Sequence, residues 1–173
     1  MTISAAEQYM LELINRARLD PVSEARRQGI DLNKDLAAGT IGTLPKQVLA
    51  MNAALSLAAE RHSKWMIDAN VFSHTGANGS THTARITAAG YELTGTWRTG
   101  ENIALSASGG TISLNREITV HHNGLWASAG HRVNMMRDDY REIGIAQEAG
   151  RFTTGGATYN ASLLTQNYGR RST

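Results

Sequence analysis

Helical spacing of apolar residues dominates the early part of this chain, and strand-like spacing appears mainly near its end. Ser4-Ala5-Ala6-Glu7 reads as a capping box ahead of Met10, Leu13, Ile14 and Ala17, which fall on one helical face. Asp20-Pro21 supplies a stop and a fresh start, so a first helix ends near Leu19 and a short second one runs to Gly29. Residues 30–46, with scattered Gly and Asp and with Pro45, suit a loop. Asn52 can cap a third helix reaching about Asn70, with Leu55, Ala58, Ala59, His62, Trp65, Met66 and Ala69 on its inner face. Residues 73–80 are loop by composition, a brief helix spans about 82–89, and a longer one spans about 114–128. A short strand is expected at 101–105 and two more at 141–146 and 159–168, joined by the turn-rich residues 150–156. Helices first and strands mostly later indicate an α+β domain built in layers.

A chain of 173 residues suits a single domain, and at this size roughly 70% of the unfolded surface is hidden on folding. Such a core needs no disulfide or structural metal. Cysteine is absent, which excludes thiolate metal sites and a cysteine nucleophile and leaves the redox compartment open. Hydrophobic residues at 41% and charged residues at 18% argue against wholesale disorder. A net charge of +2, with no basic stripe interleaved with aromatics, predicts no nucleic-acid partner. No apolar run approaches the ~20 residues that span a bilayer. The segment Met1-Thr2-Ile3-Ser4-Ala5-Ala6-Glu7 lacks the basic and apolar regions of a signal peptide. That leaves a cytosolic protein, export without an N-terminal signal, or a leader already removed.

The sequence contains no HExxH helix, no GxxxxGK[ST] loop and no GxSxG elbow, so metalloprotease, nucleotide-binding and α/β-hydrolase readings lose their usual support. What remains is polar residues at the ends of elements: Ser73-His74, Gly100-Glu101-Asn102 and Ser128-Ala129-Gly130-His131-Arg132. Two neutral imidazoles with water can form an open zinc site, and a nearby carboxylate can orient an imidazole or act as a base. Spacing alone does not single these residues out in a chain with six histidines.

Gly100-Glu101-Asn102-Ile103-Ala104 resembles the GENIA-type strand of CAP domains, the superfamily of cysteine-rich secretory proteins, venom allergens and pathogenesis-related plant proteins. Ser128-Ala129-Gly130-His131-Arg132-Val133-Asn134-Met135-Met136 resembles the bacterial SPGHRxNIL segment, and residues 13–18 resemble the opening helix motif. The run from Leu55 to His74 is similar to the family's LxxxAxxHSxxM…SH helix and loop. Arg85-Ile86 with Ala89-Gly90-Tyr91, then residues 140–145 and 165–169, complete a set that keeps the family's order over nearly the whole chain. The missing cysteines set the chain apart from eukaryotic members but not from many bacterial ones.

The resemblance implies a three-layer α–β–α sandwich with a central antiparallel sheet, a single domain over residues 4–169, and a tail or linker start at 170–173. It also implies an extracellular protein whose cleft holds His74, Glu101 and His131, with zinc on His74 and His131 and with Ser128 and Arg132 beside them; Arg132 could bind an anion there, although cations near helix ends usually meet carbonyls or carboxylates. No organic cofactor is implied. The second glutamate of the family cleft has no counterpart, because no carboxylate lies between Glu117 and Asp138. The leading function is a bacterial binding or interaction module taking a small ligand, lipid, peptide or divalent metal. The alternative is a zinc-assisted, protease-like hydrolase with His74 and His131 as ligands and Glu101 as base. Oligomeric state is not indicated. Outside the cleft, His62 reads as a core residue, His121 and His122 as one packed and one solvated, and His82 as solvated. Trp65, Trp97 and Trp126 read as core or rim packing.

Overall fold

The computed structural model describes residues 3–172; Met1 and Thr2 of the N-terminal segment and Thr173 of the tail considered above lie outside the described residues. Helix α1 (Ala5–Leu19) starts at the expected capping box, with Ser4 and Glu7 each bonding the other's backbone. Helix α2 (Pro21–Gln28) follows directly, capped by Asp20 and ended by Gly29. A two-residue strand β1 (Ala50–Met51) precedes α3 (Ala53–Asp68), whose N-cap is Asn52 as expected. Then come α4 (His82–Ala88), β2 (Arg98–Ser108), α5 (Leu114–Ala127), α6 (Ala129–Met136), β3 (Glu142–Thr154) and β4 (Ala157–Arg170).

The sheet order is β1-β3-β4-β2. The central long strand β4 runs antiparallel to both β2 and β3, with β3 and β4 forming a hairpin closed at Gly155–Gly156, while β1 joins β3 in parallel. Alternation along the strands separates two faces. Ile143, Ile145, Leu164 and Tyr168 turn to one face and share a core with Met10, Ile14, Ile118, Trp126 and Met135 from α1, α5 and α6. Ile103, Ala161 and Leu163 turn to the other face and meet Met66 of α3, with Leu55, Ala58, Ile86 and Tyr91 packed nearby. Helices on both faces of a largely antiparallel sheet give the three layers that the motifs implied.

Gly144 shows how closely α3 seats on the sheet. A Cβ built there would lie 2.0 Å from the Leu55 carbonyl carbon and 2.1 Å from the Ser56 nitrogen, atoms of the helix backbone that cannot rotate away. Gly144→Ala is therefore expected to cost about 3 kcal/mol, the upper end of ordinary overpacking, read from urea denaturation. An unchanged midpoint would mean that the helix lifts off the strand at little cost.

Several elements differ from their sequence reading. The helix expected to end near Ser128 ends at Ala127, and a separate helix, α6, begins at Ala129 because Ser128 is extended (φ −82°, ψ 122°). Strand β2 extends well beyond residues 101–105, and the turn-rich residues 150–154 stay in strand, paired with β4. The β1 bridge carries no pattern of its own in two residues. Ala69 is exposed. Trp126 is fully buried, whereas Trp97 stands 47% exposed just before β2. At residues 170–172, Arg170 ends β4, Arg171 pairs with Glu142 at 3.3 Å, and the Ser172 carbonyl accepts from the Thr94 hydroxyl at 3.0 Å.

Candidate functional site

The alternation of β2 decides what surrounds Glu101. Glu101 lies opposite Asn167 and faces the α3–α4 side, while Asn102 lies opposite Gln166 and faces α6. The preceding Gly100 admits Tyr140, whose hydroxyl would be 2.3 Å from any Cβ placed there.

The Glu101 side chain is 1% exposed and both its oxygens are occupied. One accepts from His74 Nδ1 at 2.8 Å and the other from Arg85 Nη2 at 2.6 Å. A carboxylate only accepts here, so His74 donates from Nδ1, and its Nε2 is the ring atom left over for a further partner. Burial pushes the Glu101 carboxyl upward, but the His74 bond together with the charge and bond of Arg85 outweigh it, and the acid sits below its ordinary range. Arg85 also donates to the carbonyls of Ser80 and His74, at 2.8 and 3.1 Å, which fixes the loop that carries His74. Arg85 is a site residue that the sequence reading used only as part of a motif. Its i,i+4 distance from Thr81, the α4 cap, gave no sign of its partner.

Asn102 joins the strand to α6. Its Nδ2 donates to the His131 carbonyl at 3.2 Å, and its Oδ1 accepts from Asn134 Nδ2 at 3.0 Å. Asn134 also donates to the Glu101 carbonyl at 3.2 Å. These bonds bring the start of α6 beside Glu101, so His131 approaches from one layer and His74 from the other. His131 is half-buried; burial, and then the charge of nearby His74, hold its pKa below the ordinary imidazole value. Ser128 and His131 share a groove with Phe72, Ile103, Leu105 and Val120.

Arg132 is not part of this arrangement. The expectation that it lies in the cleft is corrected: its side chain is fully buried in the opposite direction. Nε donates to Leu32 O at 3.0 Å, Nη1 to Trp126 O at 2.6 Å and Ala127 O at 3.4 Å, and Nη2 to Lys34 O. The helix that shows His131 to the groove turns the next residue about 100° away, toward the 30–46 loop.

The other histidines also have settled places. His62 is buried, as expected, and donates from Nε2 to Ser73 O at 3.0 Å, bracing the residue before His74. His82, expected in solvent, is half-buried with Nε2 3.1 Å from Thr99 Oγ1. His121 and His122 are both buried, contrary to the expectation that one is solvated. His121 Nε2 meets Ser162 Oγ at 2.9 Å on the sheet side, and burial lowers its pKa to about 4. His122 donates to Glu24 at 3.0 Å on the α2 side. Helix α5 is covered on two sides, which a periodicity does not reveal.

Among the described residues, no group of three or more His, Asp or Glu side chains can hold a metal ion. The residues present supply two imidazoles, and Glu101 is already committed, so they do not fit a closed structural zinc site or a three-ligand catalytic one.

The family model of the cysteine-rich secretory protein family, CAP, matches residues 11–168. The chain belongs to this family. No curated protein sequence matches it. A solved extracellular protein with an SCP domain from Bacillus anthracis str. Ames is similar in fold, with 21% identity and a TM-score of 0.57 over 95% of this chain. This CAP domain spans 40% of that protein's length. An outer surface protein from Borrelia burgdorferi is similar over 99% of this chain and 97% of its own, with 16% identity and a TM-score of 0.56. At these identities the likeness concerns the fold. No helix of this CAP domain is long and apolar enough to cross a membrane, among the described residues.

Proposed function

We propose that this CAP domain is an extracellular bacterial binding module that takes its ligand where His74, Glu101 and His131 meet beside β2. The observation that carries this reading is the doubly held Glu101. A buried carboxylate bonded by His74 and Arg85 fixes one imidazole's donor nitrogen and direction while leaving its Nε2 free, an arrangement suited to recognition. The extracellular setting is supported by the solved relatives, one described as extracellular and the other as an outer surface protein. Zinc on His74 and His131 would be weakly held, because two protein ligands leave the remaining positions to water. The hydrolase alternative has less support. Glu101 makes a poor base with both oxygens bonded to cationic or N–H donors that stabilise its charged form.

Two-dimensional NMR of the full chain tests the reading, first with zinc and then with a set of small polar and aromatic fragments. Shifts that cluster around His74, Glu101 and His131 are expected, with the zinc response lost in a His74→Ala, His131→Ala double variant. Fragments that bind only elsewhere, with the variant still folded, would overturn it.

A further inference from the structure

His121 turns its side chain from α5 toward the sheet and is only 2% exposed, with Nε2 2.9 Å from Ser162 Oγ. The direction of that hydrogen bond follows from the partners behind it. Gln147 Nε2 donates to Leu114 O at 3.1 Å and to Ser162 Oγ at 2.9 Å. Because the Leu114 carbonyl can only accept, the amide nitrogen and not its oxygen faces Ser162. Ser162 is fully buried, so its own hydroxyl proton needs an acceptor, and of its two partners only the His121 ring nitrogen can be one. Burial keeps the His121 ring neutral, with its pKa lowered to about 4. A neutral ring that accepts at Nε2 carries its proton on Nδ1.

That Nδ1–H has no partner among the described residues. The Nδ1 atoms of His62 and His122 are sealed in the interior, whereas His121 Nδ1 is not. His121 borders the groove beside His131, and there its free donor can meet a ligand. The groove encloses about 310 Å³, comparable to the smaller small-molecule sites. Phe72, Ile103, Val120 and Leu125 make its walls apolar, and no aspartate, glutamate, lysine or arginine lines it. An anion would lose its hydration there with no cation to meet it, and a cation would find no carboxylate. A neutral acceptor on an apolar body suits both the walls and the donor.

We propose that this groove is a subsite for a compact, uncharged, apolar molecule bearing a carbonyl oxygen, which accepts a hydrogen bond from His121 Nδ1. The chain of bonds from Gln147 through Ser162 holds the donor in place, and Phe72, Val120 and Leu125 enclose the apolar body. This inference rests on the binding-module reading above and names a ligand class for it. Water alone on Nδ1 would give no preference for a carbonyl, which is the difference the test reads.

The probes are acetophenone, ethylbenzene, in which a methylene replaces the carbonyl, and benzoate, in which a carboxylate replaces the acetyl group. Each is titrated into the isotope-labelled full chain at neutral pH and followed by NMR. The His121 ring should show the Nδ1-protonated tautomer before any ligand is added. Acetophenone should shift the His121 ring and the groove saturably, about fivefold more tightly than ethylbenzene, as one neutral hydrogen bond implies. Benzoate should bind more weakly than acetophenone. His121→Phe keeps a ring without the donor and should make acetophenone and ethylbenzene equal. Ser162→Ala removes the proton that fixes the tautomer and should narrow the gap. Circular dichroism checks that both variants fold, and the comparison of ligands in the wild-type chain decides the matter without them. Equal binding of acetophenone and ethylbenzene, an Nε2-protonated His121 ring, or a carbonyl preference that survives in folded His121→Phe would overturn the proposal. If zinc or other fragments still perturb His74 and His131, only this subsite fails; if nothing perturbs them, the binding-module reading fails with it.

Discussion

Replacing Arg132 with methionine is expected to destabilise the protein by on the order of 4 kcal/mol. The side chain is fully buried and bonds no carboxylate; its guanidinium spans carbonyls of the 30–46 loop and of the end of α5. Burial pulls its pKa below the ordinary guanidinium value, opposed in part by Asp35 and Asp31. Methionine keeps much of the apolar stem but leaves several buried carbonyls without donors, at about 1–3 kcal/mol for each group left unsatisfied. Lysine, a point charge with no planar fork, should recover only part of the loss. Urea denaturation measures it. A change below about 1 kcal/mol would show that water reaches these carbonyls and that the loop does not depend on Arg132. Arg18 plays a comparable part at the other end of the loop, donating to the carbonyls of Gln47, Met135 and Arg137, with its pKa lowered to about 10 by burial.

Glu24→Gln is expected to cost about 3 kcal/mol and to change how stability depends on acid. The Glu24 carboxylate is fully buried and accepts from Arg16 Nε and Nη2, Arg27 Nε, Gln28 Nε2 and His122 Nε2, all between 2.9 and 3.0 Å. Burial pushes its pKa upward, but the bonds from His122, Arg16, Gln28 and Arg27 outweigh this and hold it well below the carboxylate range. Because Arg16 and Arg27 remain 43% and 44% exposed, water screens part of the attraction, and the low end of the range for a broken buried pair applies. The sign follows from linkage. A depressed folded pKa stabilises fully above the unfolded value of about 4.3, and that contribution is lost as the pH falls below it toward the folded pKa. Thermal melts from pH 7 to pH 2 should therefore show a shallower acid decline in the glutamine variant. Parallel curves for variant and wild type would mean that Glu24 does not govern the acid limb.

Much of the fold was legible in the residues. Capping at Ser4, Asp20 and Asn52 marked the helix starts, because an N-cap is a local event within a few residues. The order of the motifs was enough to associate His74, Glu101 and His131 before any contact was known. Strand alternation then dictates that Glu101 and Asn102 face opposite layers. What the sequence could not carry were contacts between distant segments. Arg132 looked like a cleft cation because it follows His131, but its direction was decided by a loop some hundred residues earlier folding over it. His121 and His122 are adjacent and looked unequal, yet α5 lies between the sheet and α2, so each finds a buried partner, Ser162 and Glu24. Arg85 meets Glu101 only once α4 is laid against β2. The sequence by itself determined the main helices, the order of the long strands and the family, since caps and periodicities act over a few residues. The tertiary structure alone decided which polar groups are buried together and which strand edge stays open, because desolvation and pairing depend on segments that meet only in the folded chain.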